Sequence, residues 1–403
     1  MSYYILPSVK IFDITSKFNI FFSNEEPNSF INKNLNLYLN NIKMQISNYS
    51  DKWDEFKKYT NSYEYIHSSV PNTKQSVCKL KPLSRSFYKM IEINAMLQLK
   101  EEMPTNCNSF HLAEGPGGFI EAFSKLRNNP EDKYYGMTLQ DENPDVPGWK
   151  KTQNFLKNNL NVIIENGADG TGNLMKRENL KYCYEKYKGK MDLLTADGGF
   201  DFSVDFNKQE TISFKLIYSQ FCFAIAMQKK NGCFILKMFD IFTKPSIELL
   251  FLLSCFYKKV YICKPHTSRC ANSEKYIICK NFLFDDVKEI IPIFLSNYDK
   301  IEDKSLNLIN LINFDLPYIF INKLEEINAI FGQQQIENIS YTINIIEKHK
   351  SEKIDTIKKT NIIKCINWCQ KHQLPYNKNI QPTNMFLTQK NNSDNSDNSD
   401  NSD

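Results

Sequence analysis

A lysine inside a strongly apolar segment is the first candidate for chemistry in this sequence. Lys237 lies in the segment GCFILKMFD (232–240), which has the composition of a buried strand. Burying an ammonium group costs free energy unless an acid pairs with it or a reaction uses it. A lysine at a sheet edge, with its charged end in solvent, would explain the pattern without chemistry. The apolar neighbours favour a functional lysine.

Two other segments place polar or flexible residues directly after an apolar run. LLTADGGFDF (193–202) ends its run at Asp197, and HLAEGPGGFIEAF (111–123) has three glycines before a helix-like stretch. In parallel α/β sheets the carboxyl ends of the strands face the ligand crevice, and glycines let a ligand approach the backbone. The spacing is not that of a dinucleotide-binding or P-loop motif. Either segment alone is also compatible with an ordinary turn.

Two further segments carry polar residues beside predicted strands. The loop in CKPHTSRCANSEKYIICK (263–280) leads into an apolar run, and the helix-like segment SRSFYKMIEI (84–93) carries Lys89. The polar residues of the loop include Arg269, Asn272, Ser273 and Glu274. Taken alone, the loop could be an ordinary connection between two strands of a hairpin. Taken alone, Lys89 could be an ordinary lysine on the solvent-exposed face of a helix.

The elements that must position these residues alternate between strands and helices. The predicted strands are 109–114, 134–139, 161–165, 192–197, 233–239, 259–264 and 275–282, and the predicted helices are 85–100, 118–127, 210–230 and 245–258. Such alternation indicates a mostly parallel α/β sheet. The last two strands are joined only by a loop, so we expect them to form an antiparallel pair at the sheet edge.

The composition limits the structural classes to which the chain can belong. The 403 residues are 41% hydrophobic, which excludes wholesale disorder, and the net charge of +4 neither requires nor excludes nucleic acid. We expect a helical N-terminal extension (1–80), the α/β domain (81–283), a helical C-terminal region (284–390) and a disordered Asn/Ser/Asp tail (391–403).

The cysteines and the apolar runs predict where in the cell the protein is located. The 11 cysteines are scattered through apolar runs, and the first residues show no secretory pattern, so we expect reduced thiols and an intracellular, cytoplasmic protein. The longest apolar run, 246–257, is too short to cross a membrane. Cys365, Cys369 and His372 share a helix face, but with no fourth ligand we expect a structural arrangement and no metal.

Taken together, the five motifs resemble the FtsJ-like 2′-O-ribose methyltransferases, most closely the eukaryotic and viral mRNA cap-specific enzymes. HLAEGPGGF, TADGGFD, LKMFD and KPHTSRCANSEKY follow the order of the family's motifs, over about residues 84–283. The resemblance implies a Rossmann-like S-adenosylmethionine-dependent fold, with a mostly parallel seven-stranded sheet, one antiparallel edge strand and helical extensions at both ends.

The same resemblance assigns site residues by motif. The catalytic tetrad falls on Lys89, Asp197, Lys237 and Glu274. The S-adenosylmethionine site falls on Glu114, Gly115, Pro116, Gly117, Gly118, Asp169 and Asp197. The chain departs from many relatives at His111, where an acid is common. It also lacks the acid often found after the second strand, where it reads Thr138, Leu139, Gln140, Asp141.

The implied chemistry requires no metal. A ribose 2′-hydroxyl must lose its proton as it attacks the sulfonium methyl group, and Lys237 is the candidate that binds and deprotonates it. Burial and the positive charge of Lys89 would favour the neutral amine. Asp197 and Glu274 would orient the two amines. RNA contacts are expected from Arg85, Lys81, Arg269, Asn272 and Ser273. An aromatic sandwich for a methylated guanine is expected from Phe239, Phe242 or aromatic residues of the N-terminal extension.

Three functions remain open. The first is 2′-O-methylation of the cap-proximal nucleotide of mRNA, with capped mRNA and other capping or transcription enzymes as partners. The second is an FtsJ-type enzyme for ribosomal or transfer RNA, and the third is a non-catalytic subunit that binds S-adenosylmethionine or RNA. An NAD-linked oxidoreductase is disfavoured. The Asn/Lys/Ile-rich composition suggests an A/T-biased genome, either of a large cytoplasmic DNA virus, with a viral factory or virion as the location, or of a protist.

Overall fold

The computed structural model describes residues 3–9, 13–143, 146–199, 206–348 and 351–380. The predicted disordered tail, 391–403, lies outside the described residues. None of the helices among the described residues is long and apolar enough to cross a membrane.

Ten strands and eleven α-helices form the described structure. The strands are β1 (Tyr3–Ile5), β2 (Phe18–Ser23), β3 (Asn108–Leu112), β4 (Lys133–Met137), β5 (Val162–Ile164), β6 (Met191–Ala196), β7 (Gln228–Met238), β8 (Tyr257–Cys263), β9 (Lys275–Phe282) and β10 (Asn307–Ile312). The helices are α1 (Lys33–Gln45), α2 (Ser50–Thr60), α3 (Ser86–Leu97), α4 (Gly118–Arg127), α5 (Gln153–Asn158), α6 (Arg177–Tyr187), α7 (Gln209–Met227), α8 (Lys244–Phe256), α9 (Ile291–Ser296), α10 (Tyr318–Lys348) and α11 (Ser351–Lys371).

The main sheet has eight strands in the order β1-β8-β9-β7-β6-β3-β4-β5. Strands β7, β6, β3, β4 and β5 are parallel, so the predicted mostly parallel α/β sheet is confirmed. The predicted antiparallel pair, β8 and β9, is also present. It differs from the expectation in one respect: β9 lies between β7 and β8 and is antiparallel to both. Helix α8 leads from β7 to β8, which lies two strand positions farther out in the sheet. Strand β9 then occupies the position between β7 and β8.

The eighth strand comes from the N-terminal segment. Strand β1 pairs antiparallel with β8 and forms the outer edge of the sheet, so the sheet has one strand more than expected. The N-terminal extension is helical in α1 and α2 but not throughout, because β2 pairs with β10 of the C-terminal region. In β2 and β10, apolar residues recur at short intervals, and one face of this antiparallel pair is buried. The two extensions therefore share a small second sheet.

Apolar packing covers both faces of the main sheet. Consecutive residues of β6 point to opposite sides: Leu193 belongs to one core cluster and Leu194 to the other. Helix α7 is buried over most of its surface, as its apolar composition on all sides requires. Burial on both sides holds the strand ends in fixed positions, and these ends carry the candidate site residues.

Candidate active site

Three neighbouring strands bring three of the four predicted catalytic residues to one edge of the sheet. Strands β6 and β7 are parallel, with Ala196 beside Leu236 at their carboxyl ends. Lys237 is the next residue of β7 and pairs with Tyr276 of β9. Because β9 is antiparallel to β7, its amino end lies at this same edge, and Glu274 directly precedes it. Residues far apart in the sequence thus meet at one point.

The four predicted catalytic residues form two ion pairs. Lys237 Nζ lies 3.2 Å from Asp197 Oδ1 and donates a hydrogen bond of 2.6 Å to the Asp197 carbonyl oxygen. Lys89 Nζ, carried by α3, lies 2.8 Å from Glu274 Oε1. The four side chains are only 10–13% exposed. Each ammonium group has an acid partner, and each still has a small opening to solvent.

Tyr276 connects the two pairs. Its hydroxyl donates a 2.7 Å hydrogen bond to Asp197 Oδ1, and Lys89 Nζ lies 5.7 Å from the centre of its ring. Burial, together with the nearby Asp197 carboxylate, raises the pKa of the Tyr276 hydroxyl well above its usual range. The hydroxyl therefore stays protonated and acts as a donor.

The surroundings of Glu274 hold it in the ionised form. Burial would raise its pKa, but the positive charges of Lys89 and Lys237 outweigh this and hold the pKa well below its usual range. Ser268 Oγ donates a further hydrogen bond of 2.8 Å to Glu274 Oε1. The loop before β9 is itself held by Lys264, whose ammonium donates to the carbonyl oxygens of Asn272 and Glu274 at 2.7 Å each. Burial lowers the pKa of Lys264 to about 7.

The glycine-rich turn joins β3 to α4. Gly117 has a φ of +107°, which glycine adopts without strain. Glu114 Oε1 accepts hydrogen bonds from the backbone N–H groups of Phe119 and Ile120, at 2.7 and 3.0 Å. The structure thus places Glu114 as the cap of α4, and burial raises its pKa to about 8. A Cβ at Gly118 would collide with hydroxyl groups at the start of α3, the helix that carries Lys89.

The turns after β3 and β6 touch each other. A Cβ at Gly198 would lie 2.8 Å from Ala113 Cβ and 2.6 Å from Gln220 Oε1. A Cβ at Gly199 would lie 3.4 Å from both Lys237 Nζ and Phe239 Cζ. The two glycines therefore keep a narrow space open beside Lys237.

Asp169 lies in a loop farther along the same edge. Its carboxylate accepts hydrogen bonds from Asn179 Nδ2 and from the backbone N–H of Thr171, both at 2.9 Å. Burial opposes the charge, but these hydrogen bonds hold the pKa of Asp169 below its usual range. The Thr171 carbonyl oxygen accepts from Gln140 N at 2.7 Å, which ties this loop to the turn after β4.

The two predicted arginines adjoin the tetrad in different ways. Arg269 donates from Nε and Nη2 to the two carboxylate oxygens of Glu64, at 3.0 and 2.7 Å. Arg85 Nη2 donates to the Thr267 carbonyl oxygen at 3.1 Å, whereas its buried Nε has no hydrogen-bond partner among the described residues. Arg85 therefore has an unused donor close to the catalytic loop.

The other predicted RNA contacts are placed less favourably. Phe242 is 3% exposed and packs in the core, so its ring is not accessible to a cap and we do not retain it. Ser273 is buried, and its hydroxyl donates a hydrogen bond of 2.8 Å to Gln209 Oε1. Asn272 Oδ1 accepts a hydrogen bond from the Lys264 ammonium group. Phe239 is 7% exposed. Ser273 is buried because β9, which follows it, lies inside the sheet, whereas Phe242 is buried by packing against α1 and α10.

His111 and Lys81 lie in opposite surroundings, one in the core and the other at the surface. His111 is fully buried, between the hydroxyls of Ser109 and Thr195, and burial lowers its pKa to about 3. It is therefore a neutral residue of the core. Lys81 is exposed and donates to Ser76 Oγ at 2.8 Å.

Sequence reasoning missed Lys264, Tyr276 and Glu64. The first two lie within quoted motifs, where their positions beside a strand end were the available signal. Glu64 gives no local signal, because it acts on a residue 205 positions away. Among the described residues, no group of three or more His, Cys, Asp and Glu side chains is arranged to hold a metal ion.

Comparison with known proteins adds to this geometry. The model of the FtsJ-like methyltransferase family matches residues 82–282. The chain is 40% identical over 178 residues to the "Cap-specific mRNA (nucleoside-2'-O-)-methyltransferase 1" of Leishmania braziliensis, over 42% of each chain. It is 34% identical over 233 residues to the protein of that name from Trypanosoma brucei brucei, over 57% of this chain and 59% of the relative.

A third relative covers more of this chain. The "Cap-specific mRNA (nucleoside-2'-O-)-methyltransferase 2" of Danio rerio is 27% identical over 331 residues, which is 76% of this chain and 42% of the relative. The matches span 42–59% of the three relatives' own lengths. These relatives give no support to a viral origin.

Proposed function

Because residues 82–282 make this chain a member of the FtsJ-like methyltransferase family, we propose that it methylates a ribose 2′-hydroxyl of RNA. The proposed substrate is the cap-proximal nucleotide of mRNA, and the methyl donor is S-adenosylmethionine. The observation that carries the proposal is the convergence of Lys89, Asp197, Lys237 and Glu274 at one sheet edge, as two ion pairs.

The residues at this edge fit S-adenosylmethionine. The turn after β3, which continues into Gly115–Gly118, touches the turn after β6 at Ala113 and Gly198, and a Cβ at Gly199 would narrow the space beside Lys237. Asp169 lies farther along the same edge, held by Asn179. These residues would hold the donor, and Glu114 would act by fixing the turn as a helix cap. S-adenosylmethionine, when bound, supplies a methyl group activated by its sulfonium.

Lys237 is the proposed proton acceptor. As the ribose 2′-oxygen forms its bond to the methyl group, its proton passes to Lys237 Nζ. The side chain must therefore enter the reaction as the neutral amine. Its ammonium proton can first pass to the Asp197 carboxylate, whose Oδ1 lies 3.2 Å from Nζ. Holding oxygen, methyl group and sulfur in line supplies most of the rate enhancement in such a site.

Glu274 and Tyr276 position the amines. Glu274 stays ionised and pairs with Lys89, and Tyr276 orients Asp197 through its hydroxyl. Arg85, with its unused Nε donor, is the proposed contact to an RNA phosphate or ribose beside the tetrad.

The choice of capped mRNA rests on the relatives, whose names specify that substrate. Other capping or transcription enzymes are proposed partners. The long segments outside residues 82–282 are consistent with a substrate that needs more contacts than the catalytic residues provide.

The decisive experiment follows radiolabelled methyl transfer from S-adenosylmethionine to short RNAs. The substrates are 7-methylguanosine-capped RNA, unmethylated capped RNA, uncapped RNA and RNA already 2′-O-methylated on its first nucleotide. Lys237→Ala is compared with Lys259→Ala, which removes an exposed lysine from the neighbouring strand β8. We expect cap-dependent transfer that Lys237→Ala abolishes and Lys259→Ala leaves unchanged.

Other outcomes would overturn the proposal in distinct ways. Equal transfer to uncapped, structured ribosomal or transfer RNA would replace the mRNA substrate by those RNAs. Binding of S-adenosylmethionine without transfer to any RNA, alone or with capping enzymes added, would indicate a non-catalytic subunit. Transfer that survives Lys237→Ala would remove Lys237 from the mechanism.

A further inference from the structure

A second pocket lies on the other side of the loop that leads into β9. It has a volume of about 300 Å³, within the usual range of ligand sites, about 300–1,000 Å³. We call it the α11 pocket. The side chains that matter here are Tyr63, His266, Lys364, Trp368, Lys371 and His372. They come from the N-terminal extension, the loop, α11 and the residue directly after α11. Helix α3 also lines the pocket, so the pocket exists only where these parts meet.

Aromatic rings form much of the wall. The rings of Tyr63 and His266 lie 4.8 Å apart, and those of Trp368 and His372 lie 4.4 Å apart. Burial lowers the pKa of His266 and of His372 to about 4, so both imidazoles are neutral near pH 7. Neutral, flat ring faces of this kind are surfaces on which a nucleobase stacks.

Glu92 fixes the wall in place. Its Oε1 accepts from Trp368 Nε1 at 2.9 Å, and its Oε2 accepts from the backbone N–H and the hydroxyl of Thr267, at 3.0 and 2.8 Å. The indole N–H is thereby used, and the Trp368 ring, only 4% exposed, supports the His372 ring from inside the wall. The loop and α11 are held to α3 through one carboxylate, so the rings are ordered before a ligand arrives.

The rim of the pocket is cationic. Lys364 and Lys371 are exposed and lie seven positions apart on α11, which puts them on one face of the helix. Lys364 Nζ donates to Ser62 Oγ at 3.2 Å, a neutral group that leaves its charge uncompensated. Two ammonium groups beside stacked rings match the two halves of a nucleotide, its phosphate and its base.

The α11 pocket is close to the catalytic residues along α3. Glu92 lies one helical turn after Lys89, and Thr267 accepts a hydrogen bond from Arg85 through its carbonyl oxygen. One strand of RNA with a nucleotide at the tetrad could therefore reach the pocket across this loop.

We propose that the α11 pocket binds a nucleotide of the substrate RNA other than the one being methylated. The base stacks on the rings of Tyr63, His266 and His372, and the phosphate contacts Lys364 and Lys371. The inference rests on the proposed function and adds a second RNA-binding site to it. The pocket contributes affinity for the strand and takes no part in methyl transfer itself.

The test measures binding separately from catalysis. Fluorescence anisotropy of a labelled twelve-nucleotide RNA, capped and uncapped, is followed with the full-length wild type, with His372→Ala and with the double variant Lys364→Ala/Lys371→Ala. The control is Lys359→Ala, which removes an exposed lysine from another face of α11. Unlabelled GMP and inorganic phosphate serve as competitors, and kcat and KM for methyl transfer are measured for each variant.

We expect His372→Ala to weaken RNA binding about fivefold or more, as removal of a stacking partner does. The lysine variant should reduce the slope of log K against log salt by about 0.7 for each phosphate that is no longer neutralised by a lysine. KM should rise with kcat unchanged, and Lys359→Ala should resemble the wild type. GMP should compete only weakly, because it supplies one nucleotide without the rest of the strand.

Two results would overturn the inference. RNA affinity and KM unchanged in all pocket variants would show that the strand does not enter the pocket, whether or not methyl transfer occurs. GMP bound tightly by the wild type and not by His372→Ala, with RNA affinity unaffected, would make it a site for a free nucleotide. Failure of methyl transfer with pocket-dependent RNA binding intact would contradict the proposed function and leave RNA binding at the pocket standing.

Discussion

Arg269 and Glu64 are joined by two hydrogen bonds, of 3.0 and 2.7 Å, across 205 residues of sequence. Glu64 is fully buried and also accepts from Asn61 Nδ2 and Ser68 Oγ. Burial would raise the pKa of Glu64, but Arg269 and the neighbouring positive charge of Arg85 hold it well below its usual range. The N-terminal extension thus fixes a loop that carries a catalytic residue.

Glu64→Gln should destabilise the fold by about 3 kcal/mol, because it leaves Arg269 without its charged partner. The stability that the ionised Glu64 provides is present above its unfolded pKa and is lost as the pH falls below that value, since the folded pKa is lower. The acid-induced loss of stability should therefore be smaller in the variant. Urea unfolding at pH 7 and pH 4 measures this, with Glu25→Gln, an exposed residue, as control. Equal pH dependence in Glu64→Gln and wild type would contradict it.

Glu114→Gln should change the pH dependence in the opposite direction. The folded pKa of Glu114 is raised to about 8, so between pH 4.5 and 8 the folded chain holds a proton that the unfolded chain has released. Its contribution to stability therefore falls as the pH rises through this window, by at most ~1.4 kcal/mol per pH unit. Glutamine keeps an acceptor for the helix cap and cannot ionise, so the variant should show the flatter profile. Unfolding at several pH values, beside exposed Glu131→Gln, checks this; parallel profiles for Glu114→Gln and wild type would refute it.

Tyr276→Phe should lower kcat about tenfold or more, with little change in fold, because the variant cannot donate the hydrogen bond to the Asp197 carboxylate. The ring and its position beside Lys89 remain. Single-turnover methyl transfer to capped RNA gives the rate, and Tyr261→Phe, on β8, is the matched control. A normal rate in Tyr276→Phe would mean that Asp197 needs no orientation by this hydroxyl.

Gly198→Ala should weaken S-adenosylmethionine binding by roughly tenfold to a hundredfold, because a Cβ there forces apart the two turns that border the proposed cofactor space. Gly148→Ala is the control, since its Cβ meets no atom within 4 Å. Isothermal titration calorimetry with S-adenosylmethionine compares them. Equal affinities would place the cofactor away from the turn after β6.

The sequence carries a local signal for only part of the candidate site. Lys237 and Asp197 stand out because each interrupts or ends an apolar strand, which is a local signal. Lys89 and Glu274 lie in polar segments that carry no such signal, and only the order of several motifs identified them. The strand–helix alternation likewise predicted the sheet, since burial on both faces requires continuous apolar runs.

What the sequence did not reveal depends on contacts between distant segments. β9 enters the sheet between β7 and β8, a choice of neighbour that no local pattern encodes. The short strands β1 and β2 form only because β8 and β10 offer them partners. Phe242 was wrongly considered for a cap site because an aromatic residue beside a motif looks the same in sequence whether it is buried or accessible.

Three charged residues of the family-matched segment find their partners outside it. Asp240 is 2.7 Å from Lys43, Arg269 binds Glu64, and Glu92 accepts from Trp368. A fragment cut at residues 82 and 282 would keep all four catalytic side chains and lose these counterparts. This fragment would bury Asp240 without Lys43, and the loop that carries Arg269 would lack its ion pair with Glu64. The buried charges of the catalytic segment therefore depend for their partners on both flanking segments, so its stability cannot be separated from theirs.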